Sequence, residues 1–242
     1  MIIYPAIDIK DGRCVRLIKG DFSTAHQVAE NPFLTAQSFA AQGARWLHMV
    51  DLDGALEGKR VNGPMMMEII KNLPLKVEVG GGIRTMKTVE YYLENGISRV
   101  IIGSAAVENP QLLKDAVDNY GDRVAVGIDA KNRMVATRGW VNVSEIDFIE
   151  LAKRVEQNGV KYIIFTDVSK DGTLMGPSVG QLTELKNAVS CQIIASGGIK
   201  DVYDIEQLVQ AGINGAICGK ALYAKTLSLL DAIGKAGDQD AG

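Results

Sequence analysis

Two acidic residues interrupt apolar runs in which a charge is out of place. Asp8 lies in AIDIK and Asp129 in GIDAK, 121 residues apart, about half of the 242-residue chain. A carboxylate in an apolar strand is costly to bury unless it is paired or functional. The plain alternative is a structural ion pair, because strand alternation puts Lys10 on the face of Asp8 and Lys131 on that of Asp129. If both acids instead face one cavity, they can serve as general acid and general base on the middle of a substrate. Each role is typically worth about 10²–10⁴-fold in rate. Residue type does not say which acid takes which role, since pKa depends on surroundings.

Four glycine loops accompany the acids. Gly80-Gly81-Gly82-Ile83-Arg84 matches Gly197-Gly198-Ile199, and Gly103-Ser104 matches Gly219-Lys220, both at an offset of 116 residues. Glycine lets backbone N–H groups approach an anion, and a following helix start adds positive potential. Arg84 adds a charge-assisted donor. One glycine pair alone reads as a turn. Two related pairs point to two phosphate sites, and so to a small-molecule substrate with a phosphate at each end. Gly176, in GTLMGP, is expected to close the second site with a loop over the ligand.

The two histidines, His26 and His48, have no ligand spacing with Cys14, Cys191 or Cys218, so no metal site is expected. No dinucleotide GxGxxG follows the first apolar run. Cofactor-free proton transfer is therefore the chemistry favoured. His48 is a candidate for the same site, weighed against a lone, satisfied core histidine.

The elements that must position these residues are short apolar runs at 2–9, 46–52, 76–79, 99–102, 124–128, 162–166, 192–195 and 215–218. Most are continuous rather than alternating, which suits strands covered on both faces. Helical spacing fills the gaps, as in Phe148, Leu151, Ala152 and Val155, or Val202, Ile205, Leu208 and Val209. Gly43, Gly96, Gly159 and Gly212 stand where helices should close, and Asn109-Pro110 reads as an N-cap with proline in the first turn. Eight strand–helix units predict an α/β fold, a single (β/α)8 barrel over 1–234, with half-barrels of about 1–121 and 122–234. An open doubly wound sheet is the alternative. The polar tail, 235–242, is expected to fray. In a barrel of like halves the first strand faces the fifth, and all these loops open on one mouth.

Composition is that of an ordinary globular protein, 47% hydrophobic and 23% charged. A net charge of −3 argues against a nucleic-acid partner or a membrane surface. No apolar run reaches the roughly 18 residues a membrane helix needs. Three cysteines without a CxxC suggest reduced thiols in a cytoplasmic protein.

The blocks PAIDIKDGRCVRLIKGDF, HMVDLDGALEGK, GGGIR, IIGSAAVENP, GIDAK followed by TRGW, FTDVSKDGTLMGPS and ASGGI closely resemble the ProFAR isomerase family of histidine biosynthesis, over about residues 1–230. The resemblance implies a TIM barrel that performs an Amadori rearrangement, an aldose–ketose isomerisation, and is usually monomeric. It implies Asp129 as the acid that opens the ribose ring, Asp8 as the base at C2′, and Thr166 as support for the reacting centre. Trp140, in Arg138-Gly139-Trp140, matches a residue that stacks on the imidazole as a mobile lid. Arg16 and Asp171 match substrate or loop-gating contacts. The sister cyclase of imidazole glycerol phosphate synthase shares the repeat and paired acids but opens on Cys-Leu-Asp, where this chain has Ala-Ile-Asp. A broader isomerase that also takes phosphoribosyl anthranilate would carry the same acids.

Overall fold

The computed structural model describes residues 1–237. Eight parallel strands make the wall of a barrel: β1 (Ile2–Lys10), β2 (Trp46–Asp51), β3 (Lys76–Gly80), β4 (Arg99–Ile102), β5 (Val124–Lys131), β6 (Tyr162–Asp167), β7 (Gln192–Ser196) and β8 (Gly215–Cys218). Each pairs with the next, and β1 pairs with β8, so the sheet closes. Closure removes every edge from the wall and rules out the open doubly wound sheet. The strands coincide with the eight apolar runs.

Strand alternation sorts side chains into two cores. Ile2, Tyr4 and Ala6 of β1 join Trp46, Ile101, Ala125, Tyr162, Ile164, Ile194 and Ile217 in a cluster inside the barrel. Ile3, Ile7 and Ile9 pack outward, under the helices. Asp8 continues the inward face of β1, which carries it to the mouth.

The helices follow their sequence signals. Phe148, Leu151, Ala152 and Val155 are all buried in the helix Phe148–Gln157. In the helix Val202–Gln210 only Ile205 and Leu208 of the apolar stripe are buried, while Val202 and Val209 are exposed. Asn109 caps Pro110–Tyr120 by accepting from the Leu112 N–H at 3.2 Å. Gly43, Gly96, Gly159 and Gly212 all take the left-handed φ of a helix-closing residue.

Two hairpins lie outside the eight runs. After β1 the chain forms strands Arg13–Ile18 and Asp21–Ala29, and after β5 it forms Met134–Thr137 and Asn142–Asp147. The first turn is Asp11-Gly12 at φ 50° and 71°, and its counterpart is Asn132-Arg133 at 49° and 73°. Paired positive φ values mark two-residue hairpin turns whose twist matches the strands. The half-barrel repeat therefore includes a hairpin standing on the mouth.

The last helix, Leu229–Ala236, takes in the first two residues of the tail that was expected to fray. Ala236 is buried, and its carbonyl accepts from the Met1 amine at 3.1 Å, which ties both ends to the barrel floor. The rest of that tail, 238–242, lies outside the described residues. All three cysteines are free and buried. Among the described residues no helix is long and apolar enough to cross a membrane.

Candidate active site

A cavity of about 260 Å³ opens at the C-terminal ends of the strands. It brings together Asp8, Arg16, His48, Gly81, Gly82, Arg84, Gly103, Ser104, Asp129, Trp140, Thr166 and Asp171. A smaller recess of about 30 Å³ is lined by Arg16, Asp171, Gly197, Gly198, Gly219 and Lys220. Gly176 lines neither, but its N–H donates to the Gly198 carbonyl at 2.9 Å, and Leu174 of the same loop lines the recess. All the residues singled out in the sequence are thus gathered at one mouth, apart from this indirect contribution.

The two acids have different surroundings. Asp8 is not held by Lys10, which pairs with Asp11 at 2.6 Å. Its partner is Arg16, from the first hairpin, with Nη1 donating to Oδ2 at 2.5 Å. Asp129 accepts from the Trp140 indole Nε1 at 2.7 Å and also from Thr166, its register neighbour on β6. Burial pushes the Asp129 carboxyl above the usual range, while hydrogen bonds from Trp140 and Thr166 and the proximity of His48 pull it back.

Asp171 is a third acid at the same mouth. Burial raises its pKa to about 6, the Arg16 charge opposes the rise, and Asp8 and Asp129 add to it. Asp8 and Asp171 share the Arg16 cation, and Asp129 lies close enough to both to add to the rise at Asp171.

The glycine loops are built from the inside by contact with one another. A Cβ on Gly82 would lie 2.4 Å from the Gly54 carbonyl oxygen, and one on Gly198 would lie 2.3 Å from that of Gly176. Both glycines also have left-handed φ, at 74° and 85°. Loop packing thus explains these glycines without any ligand. Gly103 differs, since a Cβ there would meet nothing within 4 Å and would point into open cavity. Gly219 lies directly beneath the Arg16 guanidinium, which occupies the place of a Cβ. Lys220 donates to the Gly172 carbonyl at 2.6 Å, and Arg84 to that of Ala55 at 3.0 Å.

The loop after β5 lies across the mouth. Arg138, Gly139 and Trp140 all have positive φ. The Arg138 N–H donates to Ser104 Oγ at 2.8 Å, and its side chain pairs with Glu108. The Trp140 ring packs onto Gly20 of the first hairpin, so closely that a Cβ there would sit 2.1 Å from Cε3.

Several supporting residues have no role in the sequence reading. Asp51 is fully buried and accepts from the N–H groups of Gly54, Val61 and Asn62 and from the Asn62 amide. Asp167, its copy in the second half, accepts from Ser169 and Ser178. Each organises the loop behind a glycine pair. The sequence repeat aligned these aspartates, and an acid repeated at a strand end was the available signal. Gly20, Glu78 and Arg99 carried no signal, because their contacts come from distant strands.

A closed barrel of two like halves, with an acid-lined mouth roofed by two copies of one hairpin, defines the duplicated class of (β/α)8-barrel proteins. The chain belongs to the histidine biosynthesis protein family, whose model matches residues 2–228. It is 52% identical to a protein of Clostridium kluyveri over 96% of this chain and 98% of that one. It is 53% identical to one of Listeria monocytogenes serotype 4b over 96% and 97% of the two chains, and 51% identical to one of Clostridium novyi over 96% and 98%. All three relatives are named 1-(5-phosphoribosyl)-5-((5-phosphoribosylamino)methylideneamino)imidazole-4-carboxamide isomerase.

Proposed function

We propose that the chain is an isomerase of histidine biosynthesis that converts the aminoaldose named in its relatives into the corresponding aminoketose. Such a substrate carries two phosphoribosyl groups, hence a phosphate at each end. The observation that carries the reading is that Asp8 and Asp129, from opposite strands, line one cavity between the two pairs of glycine loops.

The chemistry is an internal hydrogen shift with no net oxidation. A protonated acid donates to the ribose ring oxygen, the C1′–O bond breaks, and a Schiff base forms between C1′ and nitrogen. Asp8, hydrogen-bonded to Arg16, removes the C2′ proton, and the electron pair of the C2′–H bond forms the C1′–C2′ double bond of an enolamine. Return of a proton to C1′ and loss of one from the C2′ hydroxyl give the ketone. Asp129 suits the acid, because burial favours its protonated form and Thr166 orients it. Gly103 and Ser104 offer backbone and hydroxyl donors to one phosphate, and Gly219 and Lys220 to the other. The three buried thiols suit a cytoplasmic enzyme.

One observation favours a second assignment of the acid. Asp171, with a pKa pushed up to about 6, holds its proton closer to neutral pH than an ordinary carboxyl does. Asp129→Asn and Asp171→Asn separate the two. The true acid's variant loses ring opening, so it should accumulate no Schiff base in a single turnover. The test of the function is an assay on the bis-phosphorylated aminoaldose with the purified chain alone. Turnover to the ketose is expected. No turnover, or turnover only with ammonia and a glutaminase, would overturn the reading, and equal turnover of phosphoribosyl anthranilate would broaden it.

A further inference from the structure

Beneath the acids, on the barrel's inner wall, three polar side chains stand side by side. His48, Glu78 and Arg99 are register neighbours on β2, β3 and β4. Glu78 is fully buried and Arg99 is 3% exposed. The Glu78 carboxylate takes His48 Nδ1 on one oxygen at 2.8 Å and Arg99 Nη1 on the other at 3.0 Å. The Arg99 guanidinium lies over the rings of Tyr162, at 3.7 Å, and Trp46, at 4.6 Å.

A buried ion pair is weak evidence for stability, since an apolar replacement of similar volume often does as well. In the second half-barrel, at the same offset of 116, the corresponding residues are Ile164, Ile194 and Gly215, with no charge among them. That half of the wall closes without a triad, and the asymmetry falls on β2, β3 and β4, the strands between those of Asp8 and Asp129.

From this we infer that Glu78 and Arg99 are positioning residues that hold His48 as the Nδ1–H tautomer, presenting the Nε2 lone pair to a hydroxyl of the sugar at the centre of the mouth. A carboxylate can only accept, so Nδ1 must be the donor, and a neutral imidazole is then left with its acceptor on Nε2. The imidazole lines the cavity together with Asp8 and Asp129. Arg99 holds the carboxylate in place through its second oxygen, and the aromatic rings hold Arg99. Around the imidazole, Glu78 from β3 is hydrogen-bonded to it and Asp129 from β5 interacts with it through space, Asp8 from β1 lines the same cavity, and Arg99 from β4 and Tyr4 from β1 stand behind Glu78. The sugar hydroxyl rests on the isomerase reading, whereas the tautomer does not.

The tautomer can be read directly, because His26 is the only other histidine. Long-range ¹H–¹⁵N correlation on the labelled protein at about pH 8, where a free imidazole is neutral, should show one exposed histidine and one locked with hydrogen on Nδ1. The double variant Glu78→Ile/Arg99→Leu removes the ion pair whole, which avoids leaving a lone buried charge. In it the His48 signal should move to the Nε2–H form. Its kcat should fall about 10-fold, the worth of one well-aimed hydrogen bond, with KM changed much less. His48→Asn should cost as much, and adding the double change to it should cost nothing further. A wild-type His48 found as Nε2–H or as imidazolium would overturn the proposal, as would full activity in His48→Asn. If the chain proves not to isomerise the substrate, the tautomer measurement still decides the positioning claim by itself.

Discussion

Trp140 Nε1 donates to Asp129 Oδ2 at 2.7 Å while the face of the same indole covers Gly20. One side chain thus joins the acid of the second half-barrel to the hairpin of the first. The loop that carries this indole holds two non-glycine residues, Arg138 and Trp140, at left-handed φ. Each such residue costs roughly 1–2 kcal/mol, and the loop is held in place by contacts with Ser104, Glu108, Asp129 and Gly20.

That dependence makes Gly20→Ala informative. The new Cβ would collide with the indole, so the lid should lift and Trp140 should become wetter. In a Trp46→Phe background, which leaves one tryptophan, emission should shift to the red. An unchanged spectrum would mean the indole has room to slide.

Substituting the acids tests the reaction itself. Asp8→Asn and Asp129→Asn should each lower kcat by roughly 10²-fold or more with the fold retained. Circular dichroism and steady-state kinetics check both halves of that statement. Changes of only a few-fold in both variants would remove these residues from the mechanism.

Asp171 should link function to stability. Its folded pKa, about 6, lies above the 3.8 of an ordinary aspartate, so the folded protein binds this proton more tightly than the unfolded chain. The stabilisation is complete below about pH 4 and is lost as pH rises through about 6. Asp171→Asn removes the penalty and should be more stable than the parent at pH 8 by about 3 kcal/mol, with the gap closing near pH 4. Urea melts at the two pH values measure it. A gap that widens in acid would reverse the sign and show that Arg16 outweighs burial.

Arg16 lies between Asp8 and the second recess, and Gly219 is the floor beneath it. Gly219→Ala places a methyl group where the guanidinium now sits. The displaced arginine should release Asp8, raising KM and lowering kcat together, whereas a Gly103→Ala methyl would enter open cavity and should act mainly on KM. Kinetics of the two variants side by side distinguish these outcomes.

The barrel was legible because its strands are continuous Val- and Ile-rich runs, and its closure because Ala6–Lys10 and Gly127–Lys131 repeat. The hairpins over the mouth were less so. Asp11-Gly12 is a two-residue turn signal, but Asp21–Ala29 is polar and largely exposed, without the apolar run that marks a wall strand. Asn132-Arg133 takes the same turn with residues that signal it weakly. For the site, residue type and spacing located Asp8, Asp129 and the glycine loops. They left out a second demand on the glycines, since Gly82 and Gly198 also meet the carbonyls of Gly54 and Gly176, contacts that sequence separation hides. Glu78 and Arg99 look like strand residues facing water, and only closure of the ring turns them inward.

The central claim is that one doubly phosphorylated sugar derivative spans the mouth with its reacting carbon at Asp8. A crystal structure of Asp8→Asn holding the unreacted aminoaldose tests it most directly. The account predicts one phosphate over Gly103 and Ser104, the other over Gly198 and Gly219, and C2′ within hydrogen-bond reach of residue 8. Both phosphates on the same side of the rim, or C2′ remote from residue 8, would contradict it.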